Sequence, residues 1–377
     1  MQKGIIKTFF VVLFFIVGTS TLFGAQEKLN NHHLTDEVKD LVEEIHEEEE
    51  SFDPQEMIMH HVKDAHDFHL WDWNGHSVSI PLPIILWTDS GLTTFMSSAF
   101  HHDDTGKTIV EANGNKFVKI HEKIYQLNQG ESTVTFDEEH HPTNAVKPFD
   151  FSITKNVFAM WISVVVLILL FITAARNYKK TENNVPTGIA SFLEPLIVFV
   201  RDEIAIPMIG EHTYKKYMPY LLTIFFFIWI NNIFGLIPII NGANVSGNIA
   251  FTMTLAVFTF IITTFVGNKN YWKHIFWMPG VPVPMKIFLA PIELIGMFVK
   301  PISLMIRLFA NITAGHIIVL ALMSLIFVFK SMAVAPVSVL FSLFISVIEI
   351  IVTAIQAYIF TVLSALYFGM ATEEEHH

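Results

Sequence analysis

Apolar positions along this chain fall into two kinds of run. Between residues 77 and 136 they are short, β-branched or alternating with polar positions, over 77–88, 107–110, 116–120, 123–127 and 132–136, with Gly, Asn and Asp between them. Such spacing predicts a small β-rich region. From residue 157 onward the runs are long and nearly unbroken, over 157–174, 217–240, 249–266, 301–329 and 336–370. Each is long enough to cross a hydrocarbon layer of about 30 Å. At about 1.5 Å per residue the last two reach about 43 and 52 Å, which predicts strong tilt or ends outside the hydrocarbon. Two further segments, 190–209 with Glu194, Arg201, Asp202 and Glu203, and 287–299 with Glu293, mix charge into apolar sequence and predict interfacial helices. Lys300-Pro301 predicts a bend into the fourth span. The expected fold is an all-α polytopic membrane protein of five transmembrane helices plus interfacial helices, with a β-rich extramembrane region near its N-terminus.

Charge orients this arrangement. Arg176, Lys179, Lys180, Lys215, Lys216, Lys269, Lys273 and Lys286 flank the spans on one side, which places that side and the C-terminus in the cytoplasm. Residues 1–25 read as a signal peptide, with Lys3 and Lys7 ahead of an apolar core from Phe9 to Val17 and small residues at Gly24-Ala25. Residues 26–150 are then an exported extension, partly β and partly disordered, and 151–377 a membrane domain. A hydrophobic content of 52% with mean hydropathy +0.48 excludes a soluble protein of this length. The net charge of −12 arises mostly in the extension, as in the run 43–50, so it gives no sign of nucleic-acid binding. With no cysteine, thiol chemistry and disulfide staples are excluded. His61, His66 and His69 with Asp64 and Asp67 offer metal ligands but no recognised metal spacing, so no metal is expected.

Candidate chemistry lies in the last two spans. A charged side chain at mid-bilayer costs on the order of 3 kcal/mol, so Arg307 is the first functional candidate. Helical spacing puts Ser303, Arg307, Ala310, Asn311 and Ala314 on one face, small or polar apart from the arginine, which predicts a close neighbour there. A guanidinium in a protein stays protonated, so Arg307 acts as a fixed charge and not as a relay. Ser342, Ser346, Glu349, Thr353 and Gln356 form one face of the final helix, which must meet protein or water. Glu349 is the acid within the full spans and His316 the histidine at matching depth across the turn 330–336, so the two are expected to pair. Gln356 falls near the depth of Arg307 and is expected to hold the guanidinium or its partner.

The run Lys300-Pro301-Ile302-Ser303-Leu304-Met305-Ile306-Arg307-Leu308-Phe309-Ala310-Asn311, then Ala314-Gly315-His316, and Gln356-Ala357-Tyr358-Ile359-Phe360, resembles subunit a of the F-type ATP synthase. The likeness covers about 155–374 and includes Asn231-Asn232, Pro238 and Asn248. It implies a proton-channel stator subunit of the membrane sector in a bacterial inner membrane, with the extension in the periplasm. Two half-channels would carry protons to and from carboxylates on a rotating c-ring. It further implies proton-translocation roles for Arg307, Asn311, His316, Glu349 and Gln356, with Ser303, Ser346, Thr353 and Asn248 as a supporting polar face. Implied partners are the c-ring, the subunit b peripheral stalk and membrane lipid. Many bacterial members carry a glutamate after the Ala-Gly and a histidine in the last helix; here they are exchanged as His316 and Glu349, which preserves the pair. No Gly-x-x-x-x-Gly-Lys loop is present, so the chain would have no nucleotide site, cofactor or catalytic site of its own. A secondary ion transporter could use the same buried charges, but it would show repeated halves, and the sequence has none. An envelope anchor carrying a histidine-rich domain would leave Arg307 and Glu349 without a role.

Overall fold

The computed structural model describes residues 63–73, 76–137, 142–180, 186–237 and 244–373, together with Pro54 and Ile58. The signal peptide, the run 43–50 and His61 lie outside the described residues.

Alternation builds the extension. Strands β1 (Asp67–Trp73) and β2 (His76–Pro81) form a hairpin; β3 (Pro83–Thr88) pairs with β4 (Gly91–Met96) and, on its other edge, with β9 (Phe149–Asp150). A second sheet runs β5 (Val110–Ala112), β6 (Asn115–Ile120), β7 (Lys123–Leu127), β8 (Ala145–Val146), antiparallel throughout. Every second residue of β3, Ile84 and Leu86, enters a core with Phe100, Phe117 and Ile124. The 77–88 run is thus two strands interrupted at Leu82, and 132–136 forms no strand, only a bridge from Phe136 to Pro142. The β5–β6 turn uses Asn113-Gly114, both at positive φ, as a tight hairpin favours. The β6–β7 turn does the same with His121 and Glu122, at φ 49° and 62°, a conformation that costs of order 1 kcal/mol or more at such residues.

The membrane part contains five helices apolar and long enough to cross a bilayer: α1 (Lys155–Lys180), α4 (Tyr214–Leu236), α5 (Ile249–Val266), α7 (Val283–Val328) and α8 (Ala335–Thr372). Between α1 and α4 lie α2 (Ile189–Phe199) and α3 (Ile206–Ile209), joined by a π-helical stretch Val200–Ala205. The widened turn sits just before Pro207, which has no N–H to close on Glu203. The segment is amphipathic, as its mixture of charged and apolar residues suggested: Arg201, Asp202 and Glu203 are exposed. Leu193, Val200, Ile204 and Ala205 are buried in the main core with Leu221, Phe225 and Phe368. The separate helix expected over 287–299 is instead continuous with the fourth span: α7 is one helix of 46 residues that contains Pro291 and Pro301. Helix α6 (Lys269–Phe276) precedes it.

α8 is held against α4, α5 and α7. Tyr217 stacks on Phe368 at 5.0 Å, Tyr220 meets the Thr259 hydroxyl at 2.8 Å, and a Cβ at Gly369 would collide with the backbone carbonyl of Met208. Thr254, Thr264, Thr361 and Ser364 return their hydroxyls to carbonyls one turn back, so these polar side chains are satisfied inside their own helices. Ser163 donates to Asn231 at 3.1 Å and ties α1 to α4.

Asp103 closes the 103–108 loop. Its carboxylate accepts from Thr105 N at 2.9 Å, Thr105 Oγ1 at 2.7 Å, and Thr108 N. Burial pushes its pKa up, but these hydrogen bonds outweigh that and bring it from the ordinary 3.8 to about 2. A depressed folded value means a contribution present above 3.8 and lost as pH falls toward 2. Asp103→Asn is therefore expected to lower the thermal midpoint of the full chain in detergent at neutral pH and to change it little near pH 2. Equal losses at both pH values would contradict this account.

Candidate functional site

The site forms where α7 and α8 run antiparallel beside the end of α4. Leu304, Leu308 and Ile312, spaced one turn apart, are 1%, 1% and 3% exposed and seat α7 in the core. That seating turns Ser303, Arg307, Ala310, Asn311 and Ala314 to the opposite side, where all five are exposed in the single chain. Arg307 makes no hydrogen bond or ion pair among the described residues. Gln356 is buried and does not touch the guanidinium through a hydrogen bond, so the expected hold on Arg307 is not formed within this chain.

α8 presents its polar stripe inward. Ser342, Glu349, Thr353 and Gln356 are buried, and Ser346 donates to the Ser342 carbonyl at 2.9 Å. Glu349 reaches His316: Oε1 lies 3.2 Å from Nδ1, and the other ring nitrogen, Nε2, lies 3.1 Å from the carbonyl oxygen of Gly235. A carbonyl can only accept, so Nε2 carries a proton and donates. The Nδ1 to Oε1 gap then holds one proton, sitting on either the imidazole or the carboxyl. Both states keep every hydrogen bond without turning the ring. The pair can pass a proton across 3.2 Å with no side-chain rearrangement.

Two residues make this approach possible and carried little signal in sequence. A Cβ at Gly315 would run into the Glu349 carboxylate, so the glycine leaves room for that side chain where it meets His316. Gly235 contributes only a backbone oxygen. Around the pair, buried polar atoms lack a protein partner: both side-chain ends of Asn232, Thr313 Oγ1 and Ser342 Oγ. Asn232 shares a helical face with Gly235, Thr313 lies one turn before His316, and Ser342 two turns before Glu349. Buried orphans of this kind are water sites. An Asn in an apolar span was the available hint for Asn232.

Along α7 the nine residues from His316 back to Arg307 cover about 13 Å. Beyond Arg307, toward the end of α8, a cavity of about 740 Å³ opens among Lys273, His274, Glu293, Lys300 and Glu373. No group of three metal-ligating side chains converges among the described residues.

The family model described as ATP synthase A chain matches residues 157–369, and one described as a domain of unknown function matches 57–151. The chain is 46% identical over 244 residues to ATP synthase subunit a of Chloroherpeton thalassium, covering 63% of this chain and 72% of that protein. It is 46% identical over 244 residues to ATP synthase subunit a 2 of Chlorobaculum tepidum, with 63% and 68% covered. ATP synthase subunit a of Anaeromyxobacter sp. is 41% identical over 236 residues, with 60% and 56% covered.

Gly315→Val should force α7 and α8 apart at Glu349 and cost about 1–3 kcal/mol, the usual price of overpacking a fitted core. Thermal unfolding in detergent would show it as a lowered midpoint, with a smaller drop for Gly315→Ala. An unchanged midpoint for the valine variant would mean that Glu349 does not need the glycine.

Proposed function

This chain belongs to the ATP synthase A chain family, and on that premise we propose that it is the stator of the proton path, with Arg307 as the fixed charge between two access routes. It is a multi-pass membrane protein and a proton-translocating subunit of the membrane sector. The observation that carries the finer reading is the split in α7. Arg307 stands on an exposed face of small residues, while His316, about two and a half turns on, points inward to Glu349.

An exposed arginine on a face of Ser303, Ala310, Asn311 and Ala314 fits a neighbour that comes close and brings its own carboxylate. The rotating c-ring is that neighbour in this reading. When its carboxylate is ionised, Arg307 attracts it; when a proton neutralises it, the attraction is lost and the ring can move on into lipid. Because a guanidinium holds its proton, Arg307 also blocks direct passage between the routes. Protons arrive from the extension side through the His316–Glu349 pair, and leave through the cavity by Lys273, Glu293 and Lys300. Gln356 and Asn311 then complete the polar contact with the ring carboxylate. Orientation follows from charge: Arg176, Lys179, Lys180, Lys215, Lys216, Lys269, Lys273 and Lys286 cluster at the ends of α1, α4, α5 and α7 away from the extension, against Lys155 and Lys330 at the other ends. That side is cytoplasmic and the extension periplasmic. The apolar outer faces of α7 and α8 leave room for the ring, lipid and the subunit b stalk.

The deciding experiment is proton transport in inverted membrane vesicles carrying Arg307→Ala, with assembly of the complex checked alongside. Respiration-driven ATP synthesis and ATP-driven acidification should both fall by at least about 100-fold, or about 2.7 kcal/mol. Full coupling in an assembled complex would sink the assignment.

A further inference from the structure

The extension is fastened to the membrane helices by buried polar groups. Asp64 accepts from Thr154 Oγ1 at 2.9 Å and Asn156 N at 3.0 Å, at the start of α1, and from Asn248 Nδ2 at 3.3 Å, at the start of α5. Lys155 N donates to Ala65 O at 2.8 Å. Phe68 and Leu82 pack on Ala159 and Val245, and Phe68 meets Phe158 edge-on at 5.3 Å. Lys155 is 4% exposed, with Asp64, Glu122 and Asp67 as the anions around it. Glu122, held in the strained β6–β7 turn, accepts from His66 N at 3.3 Å and Lys119 Nζ at 3.4 Å, and its own N–H donates to Asp104 at 2.6 Å. His66 in turn donates to Asp150 at 3.0 Å. A loosely tethered domain would have no use for a strained turn that delivers a carboxylate into its own base.

Several buried polar atoms at this seam and on the helices that hold His316 and Glu349 lack a protein partner. Asn156 Oδ1 lies beside Asp64; Asn244 Nδ2 and Ser246 Oγ belong to the 3-10 turn Val245–Gly247, next to Asn248. That turn packs against α1, α4, α5 and α7. Asn232, Thr313 and Ser342, on α4, α7 and α8 within two turns of Gly235, His316 and Glu349, are orphans too. Each would cost about 1–3 kcal/mol if left dry, which favours water at these positions. Asn248 is the joint, since its side chain donates to Asp64 and also caps α5 by accepting from Ala250 N at 2.9 Å.

We propose that the extension is a built part of the proton entrance, and that Asp64 is the positioning residue that holds Asn248 and the turn behind it so that water reaches His316–Glu349 from the extension side. This rests on the function proposed above, and it gives residues 57–151 a role: they form the wall of the mouth. Asp64 acts through Asn248 and touches no transferred proton.

Two measurements test it in the assembled complex. In membrane vesicles stripped of the catalytic sector, Asp64→Asn and Asp64→Ala should slow proton conduction about ten-fold, the factor for losing a charge-assisted hydrogen bond. Asp64→Glu should restore most of it. The chain has no native cysteine, so Ser246→Cys can be probed alone with a membrane-impermeant methanethiosulfonate added on the extension side and read as a mass shift of the intact chain. Modification is expected in the otherwise unsubstituted chain, and at a changed rate when Asp64→Asn is added. An unmodified Ser246→Cys overturns the proposal even if the Asp64 variants fail to assemble, and so does normal conduction by Asp64→Asn. If Arg307→Ala uncouples the complex while either of these holds, this inference alone has failed. If Arg307→Ala leaves coupling intact, the functional reading beneath it has failed.

Discussion

In hydrocarbon a polar atom has no water to fall back on, and the arrangement of this chain follows from that constraint. Most hydroxyls in α5 and α8 meet it cheaply by bonding their own helix. Glu349 cannot, because a carboxyl needs a partner of its own strength, and it finds one in His316. His316 is in turn committed at its other nitrogen to the Gly235 carbonyl. Three helices are thereby fixed in depth and rotation by two hydrogen bonds. Seating Leu304, Leu308 and Ile312 against the same core leaves Arg307 facing the other way, without a partner in its own chain. The separation of the His316–Glu349 pair from Arg307 is a geometric result of that seating.

The same constraint governs the seam with the extension. Its buried charges are compensated in sets, with Lys119 between Asp104 and Glu122, and His66 against Asp150. Such sets break badly when one member is removed, because the remaining charge stays buried. The extension is thus attached through groups that tolerate little drift, and the apolar contacts of Phe68 and Leu82 add adhesion without the same directionality.

Much of this was legible in the residues. The five spans follow from hydropathy, and the exposed face through Ser303, Arg307 and Asn311 follows from helical spacing alone. The partnership of His316 with Glu349 could be read from matched depth across one turn. What stayed hidden depends on backbone and on distant packing. The Gly235 carbonyl has no side-chain signature. Lys300-Pro301 suggested a boundary between two helices, yet one helix continues through it. The charges in 190–209 gave an amphipathic segment, but no local pattern told that its apolar face joins the main core. Asp64 and Asn248 are 184 residues apart, and no local pattern joins them.

The length of α7 has an electrical consequence. A helix of 46 residues is about 69 Å long, more than twice a layer of about 30 Å, so α7 lies tilted or carries its ends beyond the hydrocarbon. To the extent that it tilts, the step from His316 to Arg307 runs sideways. Charge moved sideways crosses little of the transmembrane voltage, which is worth about 2.3 kcal/mol per charge per 100 mV over the full thickness. On the proposed proton path, the more α7 tilts, the less of the voltage acts between His316 and Arg307 and the more of it falls along the routes that lead to and from them.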